Sequence, residues 1–453
     1  MAPPRFKTPT APPPFDQLIR EVGPERLPDV LSMQGGPLDE KQRYLHWDDV
    51  RFRKPPNGLT VAEWWFATTM ARRASAKFMP LRATDGTQFR FSNVDPVQHS
   101  VHLIDQQASG QILADDLVTN LRTSDRYLVS SLTEEAITSS QLEGASTTRR
   151  VAKELLATGR KPRDRSEQMI VNNFQAMLFA QELANEPLTP DAVLELHRIV
   201  TEDTLDDPGE AGRLQTRDDD RVRVWWGGTL LHTPPPAEEL PVRLTALCQF
   251  ANEEIGQGFI HPVVRSIILH FWLAYDHPFA DGNGRTARAL FYWSMLRHGY
   301  WLSQYLSVSA ILRAAPAQYV RSYLMTETDD GDLTYFVIYQ LRVLERALQS
   351  LQNYLARKIA ETREIESLIH GSPLINNRQL LIVRDALRDP GEPFTIRAQQ
   401  NRHRVTYESA RTDLLNLVAL GLFVKTKVGN KHVFRSRPDL PERLRALGQT
   451  ADL

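Results

Sequence analysis

His277-Pro278-Phe279-Ala280-Asp281-Gly282-Asn283-Gly284-Arg285-Thr286-Ala287-Arg288 lies between two apolar runs, Val263–Tyr275 and Ala289–Leu296. Both runs have the length and pattern of buried helices. An imidazole, a carboxylate, two glycines and two guanidiniums are therefore pressed into one short loop between core helices. Gly282-Asn283-Gly284 lets the backbone turn sharply and approach a ligand closely. A helix starting near Arg285 turns its free N–H groups and the positive end of its dipole toward the loop. Arg285 and Arg288 strengthen that end about one turn apart, so the stretch reads as an anion site.

A carboxylate beside an anion site needs a cation between them. Asp281 holding Mg²⁺, with the metal sharing phosphate oxygens, resolves the conflict. Arg285 and Arg288 then take further phosphate oxygens bidentately, which lysine does not do. His277 lies just upstream and titrates near neutrality, which suits a general base. The composite is a phosphate-ester site with a base, built for in-line attack of a hydroxyl on a nucleotide phosphate. Helix capping alone explains any one of these residues, but not all of them in this order.

The rest of the chain sets bounds on that reading. Its 453 residues suit two to four domains. With 42% hydrophobic and 24% charged residues it has the balance of a soluble globular protein. A net charge of -1 argues neither for nor against nucleic acid. The single cysteine, Cys248, excludes an intrachain disulfide framework and a cysteine metal cluster. It reads as a buried inert thiol and fits a reducing cytoplasm, the expected location. The N-terminus, MAPPRFKTPTAPPPF, has prolines where a signal peptide has its apolar segment. No apolar run has the length of a membrane span, so no membrane partner is expected.

The expected fold class is mainly α. Residues 1–15 read as a disordered Pro-rich arm and 16–110 as an N-terminal accessory region without a chemical motif. In that region Trp47, Trp64 and Trp65 are core or interface candidates. A helix starts at Thr60-Val61-Ala62-Glu63 and runs to about Arg73, and Phe89-Arg90-Phe91 suggests a short strand. Residues 111–370 form the core. Leu128, Leu132, Glu135 and Ser139 fall on helical spacing in a helix over about 125–144, with Gly144 as its C-cap. Thr147–Arg165 reads as a basic connector, a solvated run carrying Arg149, Arg150, Lys153, Arg160, Lys161, Arg163 and Arg165. Helices are expected over Ser166–Glu182, Thr189–Val200 and Ala237–Glu254, and a β-hairpin over Val222–His232. A long helix runs from Asp332-Leu333 to about His370. In 371–440, helices at Asn377–Leu387, Thr395–Gln400 and Thr406–Leu420 precede strands Phe423–Val428 and Lys431–Arg435. Asp389-Pro390-Gly391 and Gly429-Asn430 supply the turns. Three helices and a hairpin are the layout of a winged helix-turn-helix. Residues 441–453 are left as a C-terminal tail.

The opening stretch resembles, at every position, the signature of the Fic (filamentation induced by cAMP) family, His-x-Phe-x-(Asp/Glu)-Gly-Asn-Gly-Arg-x-x-Arg. Family-like features extend from about Asp125 to Leu348. Gly212-Arg213-Leu214 resembles the segment before the family's flap, although Gln215 stands where an arginine is common. Thr233-Pro234-Pro235 resembles the flap's exit, and Asp332-Leu333-Thr334 the start of the helix that closes the core. The resemblance implies a helical core with a β-hairpin flap, transferring AMP from ATP to a protein Ser, Thr or Tyr hydroxyl. It makes His277 the base and Phe279 the anchor of the loop. It gives Asp281 the Mg²⁺, Gly282, Asn283 and Gly284 the α- and β-phosphates, Arg285 further phosphate contacts, and Arg288 the γ-phosphate. Members that act as kinases usually alter the second glycine or the following arginine. Gly284 and Arg285 are intact here, which favours adenylyl transfer.

Ser139-Ser140-Gln141-Leu142-Glu143-Gly144 resembles the family's inhibitory motif, (Ser/Thr)-x-x-x-Glu-(Gly/Asn). Ser139 and Glu143 are four residues apart and share a helix face. The resemblance implies that Glu143 pairs with Arg288 and captures the guanidinium that the γ-phosphate needs. The hairpin with Val224, Trp225 and Trp226 is the expected flap, which aligns a target segment by strand addition. Alternation points one of the two tryptophans inward and the other outward. Between Gly371 and Arg437 there are 12 Lys/Arg against 5 Asp/Glu, or +7. Arg402, His403, Arg404, Tyr407 and Arg411, with Lys425, Lys427 and Lys431, outline a phosphate-backbone footprint. DNA and a protein partner both remain open for this segment. Two other readings stand beside the transferase: a nucleotide-sensing DNA-binding regulator, and a deadenylylase or other nucleotidyl transferase using the same residues. The intact His277 argues against a pure sensor. The sequence does not set the oligomeric state, and a homodimer that buries the inhibitory helix is compatible with it.

Overall fold

The computed structural model describes residues 7–33, 36–109, 121–256, 258–369, 374–388, 392–428 and 431–451. Several sequence expectations lie outside these residues: the first six residues of the arm, the break at Gly371–Pro373, and the turns at Asp389-Pro390-Gly391 and Gly429-Asn430. The side chains of Asp125, Leu128 and Lys431 also lie outside them.

The chain divides into two compact units, Met1–Ile112 with Val129–Leu348, and Leu113–Leu128 with Gln349–Leu453. In the first unit, two helices that are buried on nearly every face form the centre. Pro262–Asp276 precedes the loop and Asn283–Arg297 follows it. Val263, Ile267, Ile268, Leu269, Phe271 and Leu273 of the preceding helix are completely buried, as are Ala287, Ala289 and Met295 of the following one. Three more helices pack around this pair: Arg165–Glu182, Pro190–Thr201 and Leu240–Ala251. Asp164 and Thr189 cap the first two, each side chain accepting from the backbone N–H three residues on.

The helix Leu121–Leu142 carries the Ser-x-x-x-Glu motif to its end, and Gly144 follows with φ 96°. The expected basic connector is a helix over Arg149–Thr158. Its Ala152 and Leu155 are buried, while Arg149 and Lys153 reach Glu134. The apolar positions three apart are enough to seat it, and the charges occupy its other side.

Residues 16–105 belong to the same compact unit as the central pair. Phe15–Val22 and Val61–Ser75 pack together, and Thr60 with Glu63 forms a complete capping box. The strand hinted at by Phe89-Arg90-Phe91 is Gln88–Ser92, antiparallel to Ala76–Arg82. Arg90 also bridges to Asp332, just before the helix Thr334–Ile369. Arg72 is buried, stacks over Tyr44 at 3.6 Å and donates to Tyr335 Oη at 2.7 Å. Part of the Pro-rich arm is ordered by contacts: Pro9 is buried and the Thr10 N–H donates to Asp48 Oδ1 at 3.3 Å.

The second unit has its own core of Ile382, Val383, Ala386, Leu414, Leu417, Phe423 and Phe434. Helices Asn377–Arg388, Ile396–His403 and Tyr407–Ala419 precede the antiparallel pair Phe423–Val428 and Lys431–Ser436. The segment read as a tail is a helix, Leu440–Ala451, whose Leu440 and Leu444 join that core. Among the described residues, no helix is long and apolar enough to cross a membrane.

Candidate active site

The loop is made by its own sequence. Helix Pro262–Asp276 ends at His277, whose φ of 45° and ψ of 53° turn the chain in the left-handed region. Phe279 is completely buried and stacks face to face on His197, with centroids 3.7 Å apart. The Asn283 side chain staples the loop across Phe279, accepting from its N–H at 3.0 Å and donating to its carbonyl at 2.8 Å. Asn283 therefore offers a ligand only its backbone N–H. Gly282 caps the following helix with φ 79°, and a Cβ there would come within 2.7 Å of Thr201 Cγ2. Only glycine fits this position. The helix thus begins at Asn283, two residues before the expected start. Its first ladder bond is Thr286 N–H to Gly282 O, 2.9 Å, so the amides of Asn283, Gly284 and Arg285 face out of the N-terminus, while the Gly282 N–H donates to Asp281 Oδ1 at 2.6 Å.

The His277 ring is nearly neutral by construction. Nδ1 lies 3.3 Å from the Ala274 carbonyl, so Nδ1 carries the proton and Nε2 is the acceptor. Burial lowers the imidazole to about 4, because a desolvated charge is disfavoured. Its backbone is clamped by Arg221, whose Nη1 donates to the His277 carbonyl at 2.7 Å and Nη2 to the Asp276 carbonyl at 2.6 Å. His232 Nε2 reaches the Tyr275 carbonyl at 2.7 Å. The unsatisfied carbonyls at the helix C-terminus are thereby taken up by side chains from either side of the hairpin. Gln215, which departs from the family pattern, is engaged here: its Oε1 accepts from Arg221 at 2.5 Å and its N–H donates to Pro278 O at 2.9 Å.

The two arginines differ. Arg285 is completely buried, with Nη1 on the Val200 carbonyl at 2.9 Å and Nη2 3.4 Å from Asp281 Oδ2. Arg288 Nε donates to Ser139 Oγ at 2.8 Å, and Nη2 to the Ser139 carbonyl at 3.2 Å and to Glu143 Oε1 at 2.8 Å. Arg288 Nη1 is buried and has no hydrogen-bond partner among the described residues. A Cβ on Gly284 would lie 2.1 Å from Glu143 Oε1 and 3.1 Å from that same Nη1. The Glu143 carboxylate therefore stands directly over Gly284, in the mouth of the loop. Residues 139, 143, 284 and 288 lie together in the structure.

Asp281 is half-exposed, and Arg165 and Arg285 approach its Oδ2 at 3.3 and 3.4 Å. Among the described residues no group of three or more His, Cys, Asp or Glu is placed to hold a metal. A single carboxylate does not build a Mg²⁺ site, but it fits a cation whose other ligands are phosphate oxygens and water.

The expected flap is the hairpin Val224–Trp226 with Thr229–His232. Trp225 is 56% exposed and pairs across the strands with Leu230, also exposed, while Val224 and Trp226 are half-buried. Sequence reading missed His197 and Arg221. His197 accepts from Gly212 N–H at Nδ1 and so donates from Nε2 to the Asp281 carbonyl at 2.9 Å. The signal for it is faint, a histidine one turn before the end of an apolar helix.

Residues 187–295 match the model of the Fic/DOC family. The chain is 29% identical to a protein adenylyltransferase Fic of Aedes aegypti over 197 residues, covering 43% of this chain and 35% of that protein. It is 32% identical to the protein adenylyltransferase Fic of Culex quinquefasciatus over 165 residues, covering 36% of this chain and 29% of that protein. The chain thus spans about a third of the length of these relatives. A Fic family protein from Desulfovibrio desulfuricans aligns with TM-score 0.51 at 19% identity, covering 77% of this chain and 97% of that one. A Fic-1 fragment from C. elegans aligns with TM-score 0.50 at 22% identity, covering 77% and 90%. At these identities the solved structures speak for the fold alone.

Proposed function

The chain carries a Fic domain, and from that premise we propose that it transfers AMP from ATP to a Ser, Thr or Tyr hydroxyl of a protein and is held off by its own Glu143. The observation that carries this reading is the Glu143 carboxylate over Gly284, bonded to Arg288 at 2.8 Å. A carboxylate is seated where an anion belongs, beside an unpartnered donor on Arg288.

His277 Nε2 takes the proton of the target hydroxyl. The hydroxyl oxygen bonds the α-phosphorus as the bond from that phosphorus to the β-bridging oxygen breaks, and pyrophosphate leaves. The outward amides of the loop and the helix N-terminus hold the phosphate oxygens. Asp281 would hold Mg²⁺, which when bound supplies charge neutralisation on the phosphates. Arg288 takes the γ-phosphate once Glu143 has left it. Trp225 and Leu230 offer an exposed apolar edge for a target segment added to the hairpin.

Labelled ATP tests this with wild type, Glu143→Gly and His277→Ala. Label that rises with Glu143→Gly and vanishes with His277→Ala is the expected result. No rise in a folded Glu143→Gly protein removes the autoinhibition. Label released from a premodified target points to a deadenylylase.

For the C-terminal unit we infer a winged helix-turn-helix that docks duplex DNA. The exposed cations Arg397, Arg404, Lys425, Lys427 and Arg435 favour it, because none has an ion pair among the described residues. A salt-dependent gel shift is its test, and a protein partner is the reading left if none is seen.

A further inference from the structure

Glu135 lies two turns before Glu143 on the same helical chain and is 1% exposed. Spacing of four places Glu135, Ser139 and Glu143 on one face. The two carboxylates are separated by about 12 Å along the helix axis. Glu143 reaches Arg288, as described above. Glu135 reaches a different element, the start of the short helix Val308–Ala314. Its Oε2 accepts from the Ser309 N–H at 3.0 Å and from Ser307 Oγ at 3.1 Å, and its Oε1 accepts from Ser309 Oγ. Thr138 Oγ1 meets Ser307 Oγ at 3.1 Å beside it.

The Ser307 and Ser309 donors to Glu135 are neutral, and among the described residues it has no ion pair; burial raises its pKa, with Ser309, Arg288 and Tyr292 opposing. A carboxylate buried in this way is costly unless every lone pair is matched. The match exists only at one position of the helix. A shift of the helix by part of a turn breaks the three bonds together and leaves the charge buried and unsatisfied. The docked position is therefore set to within a hydrogen bond, as a discrete state rather than a graded one. Ser140 Oγ on the Met169 carbonyl at 3.1 Å and Asn173 Nδ2 on the Ala136 carbonyl at 3.3 Å add single bonds between neutral groups, and Ser139 takes two bonds from Arg288.

We propose that Glu135 is a positioning residue for the inhibited state: by locking the helix onto Ser307 and Ser309 it aims Glu143 at Arg288, and loosening that lock frees Arg288 for the nucleotide. This rests on the autoinhibited reading of Glu143. It makes the Ser307–Ser309 turn, outside the signature loop, the second place from which the site is controlled.

The test compares automodification by labelled ATP in wild type, Glu143→Gly, Glu135→Ala, Glu135→Gln, Ser309→Ala and the double variant Glu135→Ala/Glu143→Gly. Amide hydrogen exchange over residues 131–142 is measured in each. The lock requires Glu135→Ala to raise label at least threefold, with Ser309→Ala and Glu135→Gln rising less. It also requires the double variant to rise no further than Glu143→Gly, and exchange to accelerate in Glu135→Ala. A merely structural glutamate would instead lower label in both backgrounds, and that result overturns the proposal. So does a Glu143→Gly protein that rises while Glu135→Ala stays at the wild-type level. If Glu143→Gly itself does not rise, the autoinhibited reading falls. The proposal then falls with it; when Glu143→Gly does rise, unchanged protection in Glu135→Ala overturns the lock alone.

Discussion

His277 holds a left-handed backbone at φ 45°, a conformation that a β-carbon makes uncomfortable. Arg221 on its carbonyl and Ala274 behind its ring fix both the strain and the tautomer. Burial keeps the imidazole near 4, with Arg221 and His232 also lowering it and Glu143 opposing. At pH 6 about 1% of such a ring is protonated, against about three-quarters of an ordinary histidine. The base form is lost only as pH falls toward 4. The transfer rate of Glu143→Gly should therefore be flat from about pH 5.5 to 8, and a tenfold fall between pH 7 and 6 would contradict this. Arg221→Ala should lower kcat about tenfold with little change in the KM for ATP, because it orients the base and touches no phosphate. Phe279→Ala should cost about 3–5 kcal/mol in denaturant unfolding, since a completely buried ring leaves a cavity. The loop's own residues were legible because their chemistry is local: turn glycines, a helix N-terminus and an acid beside two guanidiniums. His197 and Arg221 were not, since each is 55 or more residues from the loop carbonyls it supports. Nothing in their immediate sequence announces a partner.

At the scale of elements, the helix Leu121–Leu142 leads into Glu143, on which the proposed resting state turns. Ser139 and Arg288 are nearly inaccessible, so truncating Glu143 leaves a buried guanidinium unpaired. Glu143 is about a third exposed, so the loss should be about 2 kcal/mol, below the cost for a fully buried pair. Glu143→Gly should melt earlier than wild type without nucleotide, and ATP should restore more stability to it than to wild type. Equal ATP shifts in a thermal melt would deny the competition for Arg288. The elements themselves were read from period and caps wherever both were strong, as at Thr60 with Glu63 and at Thr189. Arg149–Thr158 was missed because its charge density hid two buried apolar positions. Strand Ala76–Arg82 was missed because a register shift between Phe78 and Arg82 breaks the alternation that marks a strand. Its partner strand and the Arg90–Asp332 bridge are set by distant chain, which local pattern does not encode.

At the scale of the whole molecule, the chain joins a unit with the candidate active site to a unit with its own core and an uneven charge. The +7 balance of Gly371–Arg437 already subtracts its acids. Structure shows which cations those acids hold: Arg402 is paired with Asp385 at 2.5 Å, Arg411 with Glu408 at 3.1 Å, and Arg378 with Asp413 at 2.7 Å. Arg397, Arg404, Lys425, Lys427 and Arg435 are exposed and lie on the second helix, the turn after it and the hairpin. Beside them the helix Tyr407–Ala419 exposes Tyr407, Thr412 and Asn416, donors and acceptors of the kind that read base edges. Each phosphate neutralised releases counterions, with a slope of about −0.9 in log K against log salt. If all five cations meet phosphates, the slope for duplex DNA approaches about −4.5, and loss of two of them should bring it to about −2.7. Fluorescence anisotropy of the full chain, wild type and Arg404→Glu/Lys425→Glu, against duplex DNA from 50 to 200 mM salt measures both. Binding with that slope change assigns the surface to nucleic acid. A slope near zero, or an affinity untouched by the double substitution, gives the same surface to a protein partner, whose contacts depend on area and shape more than on counterions.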